Sequence, residues 1–361
     1  MDERNSRQEG LLNAILFKSE RRQSAFAEAL ARYGVACEVL DFGDPAWLDY
    51  DFRKIDIAIY FPAFEYSSNH PLALYKVQDN LRWIHEMHPH IQMFPDPAGI
   101  YYYNDKYRQY LCLKGYRFPT PDTLPLVGPG SLAEAERTLG FPLVLKNRFG
   151  AGGGAVFRVT TRSELRDYYN LATMNLFSRG FLRHLSRLLL TRETYFQLIK
   201  LRRAEYPFLS PPLLAQRFVR HDRDIKTVVG DFEVVEAHWR RKASSTMWKV
   251  NIDGGGIGEW GFVPEPILRL SCDLARRLNV RWLNLDLLVN GEALYISEFS
   301  PVWHHYRYKE QESFVYKDDY NIPMPLDLAL NLEEIIVRSL VAAAKVQSVA
   351  AGAEGRNRDS F

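Results

Sequence analysis

The stretch LNLDLLVNGEALYISEFSP, residues 283–301, constrains the fold more than any other part of the chain. Two apolar runs flank Asn290 and Gly291, a pair that favours the tight turn of an antiparallel hairpin, and each run carries one carboxylate, Asp286 and Glu298. A carboxylate on an apolar strand is costly unless a cation or hydrogen bonds satisfy it. Two on one ribbon read as ligands of a hard divalent cation, most economically magnesium with a bound nucleotide. The other reading is that one acid caps a loop or meets an arginine while the second is solvated. An ideal two-residue turn at Asn290 and Gly291 would pair Asp286 with Tyr295 and set the acids on opposite faces. A three-residue loop, 289–291, with Gly291 left-handed as a bulge, shifts the register by one and returns both acids to one face. The bulged loop is therefore expected.

With 361 residues, 47% of them hydrophobic and 13% aromatic, the chain can build two or three lobes with real cores. Its 46 basic and 44 acidic side chains leave a formal charge of +2, too little for a general nucleic-acid binder. Cys37, Cys112 and Cys272 lie far apart without zinc-site or disulfide-framework spacing, which suits a reducing cytoplasm. MDERNSRQEG has no apolar signal core, and no apolar run approaches the roughly 18 residues that span a bilayer. A soluble or at most peripheral cytoplasmic protein is expected.

The first hundred residues alternate strand and helix after a disordered 1–10. Strands are expected at 14–17, 35–40, 55–61 and 91–94, with helices at 21–33 and 74–87. This pattern describes a small parallel-sheet domain over 11–103. Its first strand runs into FKSERR rather than GxGxxG, so a dinucleotide site there is not expected. From residue 104 the pattern becomes mixed α+β: a helix over 105–114, the extended RFPTP, and a helix opened by a capping box of Ser131 and Glu134. In FPLVLKNRFGAGGGAVFRV, Lys146 ends an apolar strand before a loop with Gly150, Gly152, Gly153 and Gly154. Glycines let backbone amides close over phosphate oxygens and the lysine adds charge, so the segment reads as a phosphate flap or as a plain flexible hairpin.

The order of motifs carries further: NDKYRQ with Lys106, then Lys146 and the glycine flap, the strand LLAQRFV, the hairpin DIKTVVGDFEVVEAHWRR, NIDGGG, DLLV and SEFSP. This order resembles the ATP-grasp superfamily, and within it the branch of ribosomal-protein glutamate ligases and related peptide-forming ligases. The resemblance covers residues 100–345, with the first hundred matching the α/β domain that usually precedes an ATP-grasp core. It implies an α/β and α+β fold: a pre-ATP-grasp domain over 11–103, a central lid subdomain over 104–212 with a helical insertion near 175–205, a C-terminal subdomain over 213–345 carrying the metal-binding hairpin, and a flexible tail over 346–361.

It also implies roles for single residues. Lys106 and Lys146 match the two lysines that contact nucleotide phosphates. Gln216 and Val219 would pair with the adenine edge through their backbones while Arg217 and Phe218 flank the base, or these are ordinary strand residues. Asp222 or Asp224 would meet the ribose, or stand as solvated turn carboxylates. Lys226, Arg240 and Arg241 would face the reacting phosphoryl group or an anionic substrate, although only one of the adjacent arginines can point there. Asn251 matches an asparagine near the substrate, and 254–256 would close the pocket or form a loop. Asp286 and Glu298 match the metal ligands, with Ser300 in place of the asparagine usual two residues after the glutamate; a hydroxyl reaches less far than an amide oxygen.

The implied chemistry uses ATP and Mg2+ to join a small-molecule or peptide carboxylate to an amine through an acyl phosphate. A small-molecule kinase and a non-catalytic nucleotide-binding module are the alternatives. His304 and His305 lie where they would bind substrate or pack locally. Residues 179–203 carry leucines and arginines at helical spacing, an inserted packed helix or a basic face for a membrane surface or lipid-linked substrate. A homodimer is compatible with the sequence.

Overall fold

The computed structural model describes residues 11–19, 22–61, 71–149, 156–172, 213–244, 247–250, 255–259, 261–302, 314–316, 323–325 and 332–358. The apolar runs near the N-terminus form β1 (Asn13–Phe17), β2 (Ala36–Leu40), β3 (Ile57–Ile59) and β4 (Gln92–Phe94), separated by α1 (Gln23–Arg32) and α2 (Pro71–Met87). They pair in parallel in the order β2-β1-β3-β4, as strand-helix-strand connections require. Alternation sorts their side chains: Ile15, Phe17, Ala58 and Tyr60 join Val77, Leu81 and Ile84 of α2, while Ala14, Leu16, Ile57 and Ile59 face Phe26 and Leu30 of α1.

A short helix, α3 (Pro97–Ile100), leads to α4 (Lys106–Gly115), whose N-cap is Asp105. A second sheet has the order β5-β8-β6-β7, built from β5 (Thr123–Leu126), β6 (Leu143–Asn147), β7 (Val156–Val159) and β8 (Leu213–Arg217). Leu143, Leu145, Phe157, Val159 and Ala215 pack against α5 (Pro129–Leu139) and α6 (Arg162–Ala172), which leaves the alternate residues, Val144, Lys146 and Gln216, on the other face. The expected capping box is offset. Helix α5 starts at Pro129 after Gly128, and Ser131, inside the first turn, donates its hydroxyl to the Gly128 carbonyl at 2.5 Å. Pro129 suits the first helical position because it lacks the N–H that would go unpaired there.

The third sheet is antiparallel, in the order β11-β10-β9-β12-β13: β9 (Arg223–Gly230), β10 (Glu233–Arg241), β11 (Ile257–Glu259), β12 (Trp282–Asn290) and β13 (Ala293–Ser300). One face rests on α7 (Glu265–Leu278), whose Ile267, Leu268, Cys272, Leu274, Ala275 and Leu278 recur at helical spacing and meet Ile225, Val229, Leu283, Leu285, Leu287, Ile296 and Phe299. A small pair, β14 (Phe314–Tyr316) and β15 (Pro323–Pro325), follows. The last element, α8 (Leu332–Arg358), runs through most of the expected tail and returns to the first domain. Ile336, Leu340, Val341 and Ala344 of α8 join the cluster of Phe26, Leu30, Ile57 and Phe94, together with Val228, Trp282 and Val302 of the C-terminal part. Among the described residues, no helix is long and apolar enough to cross a membrane.

Candidate functional site

The acidic hairpin folds with both carboxylates on one face, by a route other than the expected loop. Asn290 pairs with Ala293 around a two-residue turn, with Gly291 at φ 58°, and Leu287 pairs with Ile296. The register then slips so that Asp286 lies directly opposite Glu298 and Asn284 opposite Ser300. The extra residue is Ser297, a bulge inside the strand rather than in the loop. Its cause lies in packing. Ile296 and Phe299 both enter the core with Leu287 and Leu285, and an odd spacing on one face requires one additional residue between them. The β9–β10 hairpin uses the same device: Val234 and Ala237 point into the core, and the register shifts between Val234 and Glu236.

These two bulges align polar residues across the sheet. His238 pairs with Lys226, Lys226 with Asp286 and Asp286 with Glu298, a row spanning β10, β9, β12 and β13. In the next row Arg240 stands beside Asp224 and donates Nε to Oδ1 at 2.7 Å and Nη2 to Oδ2 at 2.8 Å. The same Nη2 lies 3.1 Å from Asp286 Oδ1, without the alignment of a hydrogen bond; that buried oxygen has no hydrogen-bond partner among the described residues. Burial opposes ionisation of Asp286, but the Arg240 and Lys226 charges outweigh it and hold its carboxyl below the usual range. Burial likewise pushes Asp224 up, and Arg240 counters it.

The facing wall comes from β6 and the start of α4. Asp105 accepts the Tyr107 and Arg108 amides, each at 3.1 Å, and its two oxygens receive Arg148 at 2.8 and 2.6 Å. The Lys106 amide donates to the Arg148 carbonyl at 2.9 Å, so the helix start is tied to the end of β6. From that anchor the Lys106 ammonium reaches to 3.8 Å from Glu298 Oε2. Lys146 is 5% exposed, and burial pushes its pKa down to about 8; Glu298 and Asp286 oppose the shift, and Lys106 reinforces it. Lys106 and Lys146 thus share one electrostatic neighbourhood with Asp286 and Glu298, although the lysines come from the start of α4 and the end of β6 and the acids from the β12–β13 hairpin.

Other expected residues divide clearly. Gln216 is buried and donates its side-chain amide to Thr123 Oγ1 at 3.0 Å; Arg158 lies 4.9 Å over the Phe218 ring; the Val219 carbonyl accepts from His221 Nδ1 at 2.8 Å. Arg217 turns outward to Asp122 and the carbonyls of Thr138 and Leu139. Asp222 is exposed and bound to Lys242 at 2.9 Å, while Asp224 is fully engaged by Arg240. Of the adjacent arginines, Arg240 joins the acidic pair and Arg241 meets Glu259 on the exposed side. The Ser300 hydroxyl serves a turn, donating to the Val302 carbonyl at 2.6 Å and accepting from its amide at 3.2 Å. Gly150, Gly152, Gly153, Gly154, Asn251, Gly254, His304, His305 and the segment 179–203 lie outside the described residues. Two residues of the polar face were not singled out from the sequence: His238, whose Nδ1 lies 3.2 Å from Glu236, and Asn284. Each sits two positions from a candidate residue on the same strand, which is the signal that would have found them.

No family model and no curated protein matches the sequence. Solved structures do resemble the fold. D-alanine–D-alanine ligase from Bacillus anthracis is 16% identical with a TM-score of 0.51, over 80% of this chain and 86% of that one. Carboxyaminoimidazole ribonucleotide synthase from Aspergillus clavatus, solved with ATP, is 15% identical with a TM-score of 0.53, over 92% and 77%. The ATP-grasp ligase PsnB, complexed with a minimal precursor, is 12% identical with a TM-score of 0.55, over 92% and 99%. The sheet orders and these likenesses agree: the chain has the ATP-grasp fold.

Proposed function

We propose that this chain is an ATP-dependent ligase that joins a carboxylate to an amine, using the cleft between the β6 and β12–β13 walls. One observation carries the reading: two ammonium groups, Lys106 and Lys146, converge on two carboxylates, Asp286 and Glu298, from opposite walls. Cations and anions left side by side in a partly buried cleft fit a polyphosphate bridged to the acids by a divalent ion. The donor set suits magnesium: hard carboxylate oxygens, one of which, Asp286 Oδ1, is buried beside the Arg240 guanidinium and accepts no hydrogen bond among the described residues. When bound, such an ion offsets charge on a transferring phosphoryl group.

In this reading Lys106 and Lys146 hold the phosphates, with Gly150, Gly152, Gly153 and Gly154 closing over them and Gln216, Phe218 and Val219 bounding the base. Asp224 orients Arg240 rather than a ribose, and Arg240 with Lys226 faces the reacting group. The terminal phosphoryl passes to the substrate carboxylate, the amine attacks the carbonyl carbon, and phosphate departs as the amine loses its proton. The relatives' names support the class: two are ligases of amino acids or peptides, and the D-cycloserine synthetase DcsG shares the fold at a TM-score of 0.53.

The test is ATP turnover with pools of amino acids, sugars and carboxylates, products being read by mass. ADP with a new amide supports the ligase, and Asp286→Asn should abolish it. A phosphate ester would replace the proposal with a kinase, and ATP binding without turnover under every condition would replace it with a binding module.

A further inference from the structure

We infer that Asn284 supplies a neutral oxygen ligand to the cation held by Asp286 and Glu298, so that the site is completed along β12. The inference rests on the metal-nucleotide reading above and adds a residue that this reading does not assign. Three observations carry it. Asn284 lies two residues from Asp286 on the same strand and therefore on the same face, and its cross-strand partner Ser300 lies two residues from Glu298. Second, the Asn284 Oδ1 atom is buried and, among the described residues, accepts no hydrogen bond, as is also true of Asp286 Oδ1. Buried acceptors without a hydrogen bond are uncommon because the water they gave up is not replaced, and here two of them sit two residues apart on one polar face, Asp286 Oδ1 with only the misaligned Arg240 guanidinium beside it. The third concerns supply. No three His, Cys, Asp or Glu side chains come together to hold a metal among the described residues, and Asp224 is committed to Arg240. Ser300 already donates to and accepts from Val302.

A hard divalent ion takes six or more oxygens, and carbonyl oxygens of asparagine are ordinary members of such shells. Side chains spaced roughly 7 Å along a strand and about 5 Å across a ribbon can converge on one ion or on two neighbouring ones. An amide oxygen has a further merit in this position: it adds a donor without a third negative charge beside two carboxylates.

The experiment is Mn2+ titration of the full-length protein with a non-hydrolysable ATP analogue at saturation, following the free-ion electron paramagnetic resonance signal. Asn284→Ala should weaken Mn2+ binding by about tenfold or more, while the melting temperature without metal stays equal or rises because an unpaired acceptor is gone. Asn284→Asp keeps an oxygen in place, so it should bind Mn2+ at least as tightly as the parent and show a larger thermal shift on adding the ion. An amide needed only for structure would fail this second variant, since a carboxylate there repels Asp286 without recovering affinity. Wild-type affinity in Asn284→Ala, with affinity lost in Asp286→Asn, would overturn the role of Asn284 and leave the cleft reading intact. Unchanged affinity in Asp286→Asn and Glu298→Gln as well would remove both.

Discussion

Lys146 shows at the scale of one residue how this cleft is prepared for an anion. Its ordinary pKa of 10.5 falls to about 8 because burial disfavours the ammonium, with Lys106 adding to the effect. The folded value lies below the unfolded one. At pH 7 both states hold the proton and the folded chain bears the full cost, on the order of 3 kcal/mol for a shift of this size. As pH rises above about 8 the folded state releases its proton first, and the cost disappears progressively towards 10.5. Stability of the nucleotide-free chain should therefore gain a rising component across that window. Comparing urea denaturation of the parent with Lys146→Met isolates it: the variant should be more stable at pH 7 and lack the component. The same variant should bind ATP far more weakly, since a polyphosphate is what makes a buried ammonium favourable. Proton uptake follows too. Near pH 8.5 calorimetry in buffers of different ionisation enthalpy should show protons taken up with the nucleotide by the parent and none by Lys146→Met; equal uptake in both would assign the proton elsewhere.

At the scale of elements, the Arg240–Asp224 pair fixes how β9 and β10 present charge to Asp286. Both partners are almost fully buried, so removing one strands the other. Arg240→Met should cost about 3–5 kcal/mol by denaturation, because Asp224 keeps its desolvation and loses its guanidinium. Asp224→Leu together with Arg240→Met should recover most of that stability but not ATP turnover, and a double variant as unstable as the single would show that the pair is not the unit. Much of this element level is legible in the sequence. The four parallel strands and their helices fall within two or three residues of the apolar runs, since short strands and amphipathic helices announce themselves by period. The acids' shared face is legible as well, but not its cause. Strict alternation places the odd residue in the loop, where glycine invites it, whereas Ser297 and Val235 take it up inside the strands. The signal is an in-out-out-in pattern, as in Ile296-Ser297-Glu298-Phe299, and only packing against α7 shows that Ile296 and Phe299 share a side. The pairing of Asp224 with Arg240 depends on the bulge at Val235, so a reading without it sends Asp224 to the wrong neighbour.

At the scale of the whole molecule, the chain's last helix decides how the first domain and the acidic sheet hold together. Helix α8 lies against α1 and the apolar face of the parallel sheet, with Glu333 paired to Arg22 and Glu334 to Arg32. Trp282, the first residue of β12, enters the same cluster and stacks edge-on to Phe94 with centroids 6.1 Å apart. The next link is polar: Asp96 accepts the Arg281 amide at 2.7 Å and its Nε at 3.3 Å. The strand that carries Asp286 at its middle thus begins inside the core that α8 closes. Leu340 is fully buried in that core, and Leu340→Ala should cost about 2–5 kcal/mol by deleting packed methyl groups and leaving a cavity. Since Leu340 belongs to the core cluster and not to the polar face, Mn2+ and nucleotide affinity measured well below the melting temperature should match the parent. Loss of affinity without loss of stability would mean that α8 positions β12 directly, and no loss of either would remove α8 from the core shared by the parallel sheet and β12.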